Sequence, residues 1–416
     1  MNILYFSPRQ YWPANTGARL RDFYLARELA RRCNLTFLGL ISGPGPQPQD
    51  PGAESDSCLL ASARTILVER EHTYSITKLV RGLLGSSPVT VLNYTSSKLR
   101  KQLELLLRQQ RFDSIQMEGT PLAAYLPVLR NQGRGVAVVC DWHNIDSEVM
   151  LRYSQHAPDL LRRLYAKRTA SQLQKVERQL ARQCDAHTMV SERDRSALLH
   201  WHPAADAFVI ENGVDVEQFA PTFPVSTTDN PSPDRSDVVF VGSMDYHANI
   251  DAVLYFVRQV WPQVRSANPR LHFTIVGSNP TAEIRQLAVP GSIQVTGTVD
   301  DVRPYYTRAV AAVVPLQIGG GSRLKILEAM AAGVPVVSTT LGAEGLAVTP
   351  GLDIVLADTP GAMAAAILEV AAATERQQAL ARHGRRLVEQ RYDWRAIGES
   401  LFQIHQRAAA HKFHAD

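Results

Sequence analysis

Short apolar runs rich in β-branched residues recur along the first half of the chain, and stretches with helical spacing separate several of them. Residues 19–32 place Leu20, Phe23, Ala26 and Leu29 on one broad apolar face, which predicts a helix. Strands that alternate with helices favour α/β layers around a parallel sheet. The strands predicted in this half are 3–6, 35–41, 65–68, 114–117, 136–140 and 187–190.

The second half repeats this alternation with cleaner apolar runs. A predicted helix at 250–260 follows the first of these runs, and residues 362–413 have a mostly helical pattern. Near-continuous apolar runs are typical of parallel strands that are covered on both faces. The strands predicted in this half are 238–241, 273–276, 293–295, 311–315, 334–338 and 354–356.

A change in composition separates the two halves. Asn212-Gly213 is a turn signal, and residues 220–237 are rich in Pro, Ser, Thr and Asp without apolar periodicity. For two tandem α/β domains we expect a cleft between them, where ligands commonly bind. The predicted parts are a Rossmann-like domain at 1–211, a linker at 212–236, a second Rossmann-like domain at 237–392 and a last helical segment at 393–416.

The composition is that of a globular protein. Of 416 residues, 45% are hydrophobic and 20% are charged, which excludes a chain that is disordered throughout. The four cysteines form no Cys-x-x-Cys pair, so zinc-ribbon and thioredoxin-like sites are excluded, and scattered thiols favour a reducing compartment. The sequence shows no apolar run long enough to cross a bilayer and no signal-peptide pattern. We therefore expect a cytoplasmic protein that can touch the inner face of the membrane.

The charge is small overall but uneven. A net charge of +4 is too low to indicate nucleic-acid binding by itself. Residues 151–183, however, contain eight Lys and Arg side chains against two acidic ones. This pattern fits either a solvated helical face or a surface that lies near anionic lipid or a phosphate-bearing acceptor.

The segment 318–330 carries the clearest candidate chemistry. It follows a predicted strand with three consecutive glycines and then opens a helix, so backbone N–H groups and the helix N-terminus can receive a diphosphate. Arg323 and Lys325 add positive charge, and Glu328 could accept hydrogen bonds from both hydroxyls of a ribose. The segment is neither a Walker A loop nor a dinucleotide fingerprint. The alternative is an ordinary Gly-rich turn with a solvated Arg and Lys.

Several motifs resemble family 4 of the glycosyltransferases, which are retaining enzymes of the GT-B fold. The matching pieces are 210–215, 240–243, 275–277, 295–299 and 328–337, and the first half resembles the acceptor domain of the family. The resemblance implies two Rossmann-like α/β/α domains facing a central cleft, with the C-terminal helix crossing back to the first domain. It implies transfer of a sugar from a UDP-sugar or GDP-sugar to a glycan or lipid-linked acceptor with retention, in envelope or exopolysaccharide synthesis. No cofactor and no metal ion are expected.

The resemblance also assigns roles to residues of the second half. Glu328 matches the second Glu of the Glu-x7-Glu motif, which holds the ribose, and Thr298 and Val299 fall where the family contacts the nucleobase. The first Glu of that motif falls on Gly320, so backbone N–H groups of the loop are expected to replace its contact with the donor sugar. The predicted donor-binding residues are Gly17, Gly242, Ser243, Thr298, Val299, Gly319, Gly320, Gly321, Ser322, Arg323, Leu324, Lys325 and Glu328.

A second departure concerns the diphosphate. Relatives often place an Arg and a Lys after the first strand of the second domain, and here those positions hold Ser243 and Asn249. Our hypothesis is that Arg323 and Lys325 replace them.

In the first half, His143 is the predicted catalytic residue. It follows the strand 136–140, and in the family a His after the corresponding strand lies beside the transferred sugar. The alternative is a His that only packs beside Trp142. Glu118 is a weaker candidate for the acceptor site. Gly17 lies in a turn that the family uses near the donor phosphate, and the alternative is an ordinary turn between a strand and a helix.

Two other functions remain open at this stage. A nucleotide-sugar epimerase of GT-B fold would share the donor site but needs carboxylates and histidines for acid/base chemistry. A non-catalytic scaffold that binds a nucleotide-sugar is the second alternative, because the first Glu of the motif is missing. The sequence gives least support to nucleic-acid binding.

Overall fold

The computed structural model describes residues 1–14, 16–41, 63–70, 75–133, 135–157, 159–221, 235–318 and 323–415. The chain divides into two compact units. The first contains Met1–Glu211 and Ile397–Asp416, and the second contains Asn212–Ala396. Each unit is built around its own parallel sheet with its own hydrophobic core.

The first unit contains a seven-stranded parallel sheet in the order β3-β2-β1-β4-β5-β6-β7. The chain therefore moves outward in one direction from β1 and then returns to add strands on its other side. The strand order reverses between β1 and β4, and ligands of open α/β sheets bind outside the carboxyl ends of the strands at such a point. The strands are β1 (Asn2–Ser7), β2 (Asn34–Ile41), β3 (Arg64–Glu69), β4 (Ser114–Glu118), β5 (Ala137–Trp142), β6 (Ala186–Met189) and β7 (Ala207–Val209).

Helices connect these strands, and the start of the first helix is defined by an N-cap residue. Thr16 caps its N-terminus by accepting a hydrogen bond from the backbone N–H of Arg19, at 3.3 Å. The described helices of this unit are α1 (Gly17–Ala30), α2 (Ile76–Leu84), α3 (Val89–Tyr94), α4 (Ser97–Gln109), α5 (Leu126–Gln132), which a 3₁₀ turn (Thr120–Tyr125) precedes, α6 (Asp146–His156), α7 (Leu160–Gln183) and α8 (Glu192–Trp201).

The second unit contains a six-stranded parallel sheet in the order β10-β9-β8-β11-β12-β13. The order reverses between β8 and β11, which gives the second sheet the same kind of switch point as the first. The strands are β8 (Asp237–Val241), β9 (His272–Val276), β10 (Ile293–Val295), β11 (Ala309–Val314), β12 (Val336–Ser338) and β13 (Val355–Leu356).

The core of the second unit forms because β11 is apolar at every position and β8 is apolar after Asp237. Val238, Val239 and Phe240 are fully buried, as is most of β11. Burying such a side chain stabilises a fold by about 1.5–3 kcal/mol. The described helices here are α9 (His247–Tyr255), continued by a π-helical turn (Phe256–Val260) into α10 (Trp261–Ala267), α11 (Ala282–Arg285), α12 (Arg303–Arg308), α13 (Leu324–Ala331), α14 (Pro360–Ala372), and α15 (Thr374–Leu387), which a second π-helical turn (Val388–Tyr392) follows.

The last helix, α16 (Trp394–Ala415), begins in the second unit and packs on the first from Ile397 onward. The imidazole of His405 lies 2.7 Å from the hydroxyl of Ser114 and 3.0 Å from the side-chain oxygen of Gln116, both on β4. Burial lowers the pKa of His405 to about 3, so this ring is neutral at pH 7. None of the helices in the described ranges is long and apolar enough to span a bilayer.

Candidate functional site

Polar side chains gather at the switch point of each sheet. Both groups therefore lie where α/β folds bind ligands, at the carboxyl ends of the central strands. The two groups are described separately, beginning with the second unit.

Lys325 joins the two sides of the second switch point. It projects from α13, which follows β11, and its ammonium donates a hydrogen bond of 2.7 Å to the side-chain oxygen of Asn249 on α9, which follows β8. Asn249 in turn donates to the backbone carbonyl of Ser243, at 2.8 Å. The ammonium also lies 4.3 Å from the ring centroid of Phe240, within range of a cation–π interaction. The amine of Lys325 is thus fixed directly beside the turn that follows β8.

Two glycines allow this arrangement. A Cβ on Gly242 would lie 2.8 Å from the amide nitrogen of Asn249 and 3.0 Å from the ammonium of Lys325. A Cβ on Gly277, which follows the neighbouring strand β9, would lie 1.8 Å from the carbonyl oxygen of Gly242. This distance is too short for any side chain, so position 277 requires glycine in this conformation. The turn after β8 is therefore closely packed, and Lys325 fills the space that a side chain at position 242 would need.

Glu328 lies one turn further along α13. The hydroxyl of Tyr306 is 3.4 Å from its Oε2 atom. Withdrawal from water raises the pKa of Glu328 to about 7, and the same effect lowers the pKa of Lys325 to about 7. Both groups are held in a poorly solvated site, and a ligand that supplies hydroxyl donors and a phosphate charge would satisfy both.

Arg323 is directed elsewhere. Its guanidinium donates to the backbone carbonyls of Leu341, at 2.8 Å, and Glu344, at 3.3 Å. The residue is buried and precedes α13 directly. Of the two cations in our hypothesis, the structure brings only Lys325 into contact with Asn249, whereas Arg323 ties the start of α13 to the segment after β12.

Of the two predicted nucleobase residues, Thr298 lines a cavity at the end of β10. The cavity has a volume of about 420 Å³, and Thr296, Gly297 and Thr298 form part of its wall together with Asn279 and Arg285. The side chain of Val299 packs against the core of the unit instead.

Other predicted residues have less defined surroundings. Gly319, Gly320, Gly321 and Ser322 lie outside the described residues. Leu324 is the first residue of α13 and is partly buried, and Gly17 is the exposed first residue of α1 in the first unit.

In the first unit, His143 lies within a group of carboxylates at the switch point. Its Nε2 atom is 2.9 Å from Glu118, at the end of β4, and 3.6 Å from Asp22 on α1. Ser7, at the end of β1, donates to the other oxygen of Asp22, at 2.9 Å. Trp142, in contrast, donates to His187 at 3.2 Å. The alternative in which His143 only packs beside Trp142 is therefore not what the structure shows.

Arg21 and Asp141 form a fully buried ion pair beside this group. The guanidinium donates two hydrogen bonds to the carboxylate, at 2.8 and 2.7 Å, and Thr188 donates a third, at 2.6 Å. Arg21 lowers the pKa of Asp141 to about 2 against the opposing effect of burial, so Asp141 remains ionised. This fixed negative charge contributes to the field around His143.

The carboxylates change the protonation of the imidazole. Burial alone would lower the pKa of His143, but its interactions with the carboxylates of Asp22, at 3.6 Å, and Glu118, which accepts its hydrogen bond, outweigh this effect and raise the pKa to about 9. Burial, followed by the charges of Asp141 and Asp22, raises the pKa of Glu118 to about 7. The side chain of His143 is 21% exposed whereas those of both carboxylates are fully buried. A protonated imidazole that donates hydrogen bonds therefore faces outward at this edge of the sheet.

The same three side chains could also hold a cation. One ligand atom each from Asp22, Glu118 and His143 lie within 4.8 Å of one another. The attraction between an imidazolium and two carboxylates already explains this closeness. No pair of these residues is near in sequence, so motif searching missed the cluster.

Sequence reasoning also missed four residues that position these groups. Arg21 and Asp22 are two of the five charged residues of α1, and the sequence pattern does not identify their partners. Tyr306 gave no signal. Asn249 was considered only because it stands where relatives often have a Lys, and its contact with Lys325 was not predicted.

Two family models match the chain. The model for Glycosyltransferase Family 4 matches residues 23–218, and the model for Glycosyl transferases group 1 matches residues 235–373. One match lies almost entirely in the first unit and the other in the second.

Individual proteins show the same relationship. An uncharacterized 44.6 kDa protein in the cps region of Klebsiella pneumoniae is 25% identical over 175 residues, which is 40% of this chain and less than half, 45%, of that protein. The structure is similar to sucrose-phosphate synthase of Thermosynechococcus elongatus, with a TM-score of 0.69, 18% identity, and coverage of 99% of this chain and 100% of that one.

It is also similar to HepE of Anabaena, solved in complex with UDP and glucose, with a TM-score of 0.63, 15% identity, and coverage of 96% and 98%. At these identities the two structures show the fold alone. Because the two family models between them account for both units, the chain belongs to the family 4, group 1 glycosyltransferases, and its fold is of the GT-B type.

Proposed function

We propose that this protein transfers a sugar from a UDP-sugar or GDP-sugar to a glycan or lipid-linked acceptor with retention of the anomeric configuration, and that it acts in envelope or exopolysaccharide synthesis. The observation that carries the proposal is the pairing of Lys325 with Asn249 at the second switch point, with Glu328 one turn along the same helix. The protein would work in the cytoplasm, at the inner face of the membrane.

The chemistry of the donor follows from these groups. The ammonium of Lys325 and the N-terminus of α13 would bind the diphosphate and stabilise the negative charge that develops as it leaves. Glu328 would accept hydrogen bonds from the ribose hydroxyls. The cavity beside Thr298 has room for a base. No metal ion and no cofactor are needed in this scheme, because the protein itself supplies the positive charge.

His143 would carry the role of the first unit. As an imidazolium with Glu118 and Asp22 behind it, the ring can donate a hydrogen bond to a sugar hydroxyl and hold it in place. Retention rests on the family to which the chain belongs. An envelope role is supported by the relative from the cps region of Klebsiella pneumoniae.

Free nucleotides test the donor site. UDP, GDP and ADP are added in a thermal-shift assay to the parent protein, to Glu328→Ala and to a control, Glu369→Ala, whose carboxylate is largely exposed on α14. A ligand that binds only the folded state raises the midpoint in proportion to its occupancy. We expect UDP or GDP to stabilise the parent and the control but not Glu328→Ala. Equal responses of the parent and Glu328→Ala would remove the basis of the proposal.

A second experiment separates transfer from its alternatives. The sugar donor that corresponds to the stabilising nucleotide is incubated with the protein and candidate acceptors, and the products are followed by NMR. A new glycoside with the donor's anomeric configuration supports the proposal. A donor recovered with an altered sugar supports an epimerase, and the complete lack of turnover despite tight binding supports a scaffold.

A further inference from the structure

Three helices of the first unit expose an unusual concentration of large apolar side chains. Of the sixteen large hydrophobic residues that are exposed in the described part of the chain, ten lie on α2, α6 and the start of α7. We call these ten residues the apolar face. They are Leu79, Val80, Leu84, Val149, Leu151, Tyr153, Leu160, Leu161, Leu164 and Tyr165.

The three helices that carry the apolar face are neighbours in the fold and are held together. Gln172 on α7 donates to the backbone carbonyls of Gly82 and Gly85 at the end of α2, both at 2.8 Å. Arg168 also donates to the carbonyl of Gly85, at 3.1 Å. Helices α6 and α7 pack along each other.

Three leucines of the apolar face have most of their surface exposed to solvent. Leu84 and Leu161 are each 80% exposed, and Leu160 is 70% exposed. Single exposed apolar residues are common in folded proteins, but a group of ten large apolar side chains on adjacent helices is typical of an interaction surface. Leu160, Leu161 and Leu164 occupy the first turns of α7, where their side chains are not needed for the core.

Positive charge surrounds the apolar face. Residues 151–183 carry eight basic and two acidic side chains, a net charge of +6, whereas the whole chain carries +4. The rest of the chain therefore has a net charge of −2, and the basic excess of the protein is confined to this segment. Arg152, Arg162 and Lys167 are exposed between the apolar residues, and α2 adds Lys78 and Arg81.

We propose that this surface docks on an anionic lipid bilayer. The leucines of α2 and α7 would enter the boundary between headgroups and acyl chains, and the long Arg and Lys side chains beside them would reach the lipid phosphates. Each basic residue near such a surface contributes to binding, and the contribution falls within a Debye length.

Charge complementarity separates a bilayer from the other occupants. Two copies of the surface in contact would bring their excess positive charges together, which disfavours a dimer through this face. An acidic protein would match the charge, but apolar and cationic side chains alternate here within single helical turns, as a lipid headgroup boundary requires. The proposal does not depend on the transfer reaction, since it concerns helices outside both switch points.

Vesicle co-sedimentation of the whole protein tests the proposal. The parent is mixed with phosphatidylcholine vesicles and with vesicles that contain phosphatidylglycerol, at low and high salt. The test variant is Leu84→Gln/Leu160→Gln/Leu161→Gln. The control variant is Leu105→Gln/Val289→Gln/Leu352→Gln, which changes three exposed apolar residues elsewhere. Far-UV circular dichroism shows whether each variant is folded, and a thermal-shift assay with UDP and GDP shows whether it keeps the nucleotide response of the parent.

We expect the parent to bind the anionic vesicles and not the neutral ones, and high salt to weaken the binding. The test variant should bind at least about tenfold more weakly, because three leucines no longer leave water, whereas the control should bind like the parent. Loss of a dimer in the test variant without any vesicle binding by the parent would show an interface between copies. Equal vesicle binding by the two triple variants, or none by the folded parent, would overturn the proposal.

Discussion

The ammonium nitrogen of Lys325 lies 2.7 Å from the side-chain oxygen of Asn249, so a helix that follows β11 supplies a cation to the turn that follows β8. The family resemblance of the sequence implies a Lys at position 249 in many relatives. Here the charge reaches the same place from the opposite side of the switch point. The glycine at 242 leaves room for it.

Replacing this amine should impair donor binding and leave the fold intact. In Lys325→Met the side chain keeps its approximate volume but loses its charge. A hydrogen bond to a charged group contributes about 1.5–3 kcal/mol, so we expect the Kd for the preferred nucleoside diphosphate to rise by about 10- to 100-fold. Isothermal titration calorimetry measures this directly. Lys101→Met, on an exposed position of α4, should bind like the parent.

Arg323 should behave in the opposite way. It holds two backbone carbonyls after β12, so Arg323→Gln should lower the free energy of unfolding by about 1–3 kcal/mol, because those carbonyls lose their donors. Nucleotide affinity should change much less than in Lys325→Met. Urea unfolding and calorimetry of the same two proteins give the comparison. A large loss of affinity at unchanged stability would instead assign Arg323 to the diphosphate.

The sequence predicted most strands because their physical signal is local. Near-continuous apolar runs in β8, β9 and β11 mark strands covered on both faces, and the predicted bounds differ from those observed by no more than two residues. β7 was not predicted, because three residues, of which only Ala207 is buried, give too short a pattern. The helix predicted at 250–260 extends through a π-helical turn to Ala267, since Pro262 is tolerated in the first turn of α10.

The contacts within the two candidate sites were harder to predict from the sequence, because they join residues that are distant along the chain. Position 325 could be singled out because Gly residues and a strand precede it, but its contact with Asn249 depends on how two strands lie side by side. The group around His143 joins residues 22, 118 and 143, which no spacing rule relates. The direction of Arg323 is set by carbonyl groups at 341 and 344, whose positions follow from the folded chain.

The buried ion pair of the first unit should be important for stability. In Arg21→Met, Asp141 loses its cation while it stays fully buried, and leaving such a charge unpaired costs about 3–5 kcal/mol. Urea unfolding of the protein should show this loss. Adding Asp141→Asn should recover part of it, because the amide carries no charge. The partly exposed pair of Arg130 and Asp185 supplies the control, and Arg130→Met should cost no more than about 1 kcal/mol.

Glu118 should control the protonation of His143. The imidazole has its pKa raised from 6.5 to about 9, so it contributes stability that is complete below pH 6.5 and lost as the pH rises through 9. In Glu118→Gln, which keeps the shape of the side chain, the pKa of His143 should fall by about one unit or more. The ring should then become neutral, and its contribution should disappear, at lower pH than in the parent.

An NMR titration of the imidazole nitrogens measures this pKa, with His143→Gln used to assign the resonance. Glu192→Gln removes an exposed carboxylate that pairs with Arg195 and should leave the titration unchanged. If His143 holds a sugar hydroxyl as an imidazolium, the upper pH limit of kcat should move down with the pKa in Glu118→Gln. A pKa that stays near 9 in that variant would mean that Asp22 and Asp141 alone maintain the charge, and Glu118 would lose its positioning role.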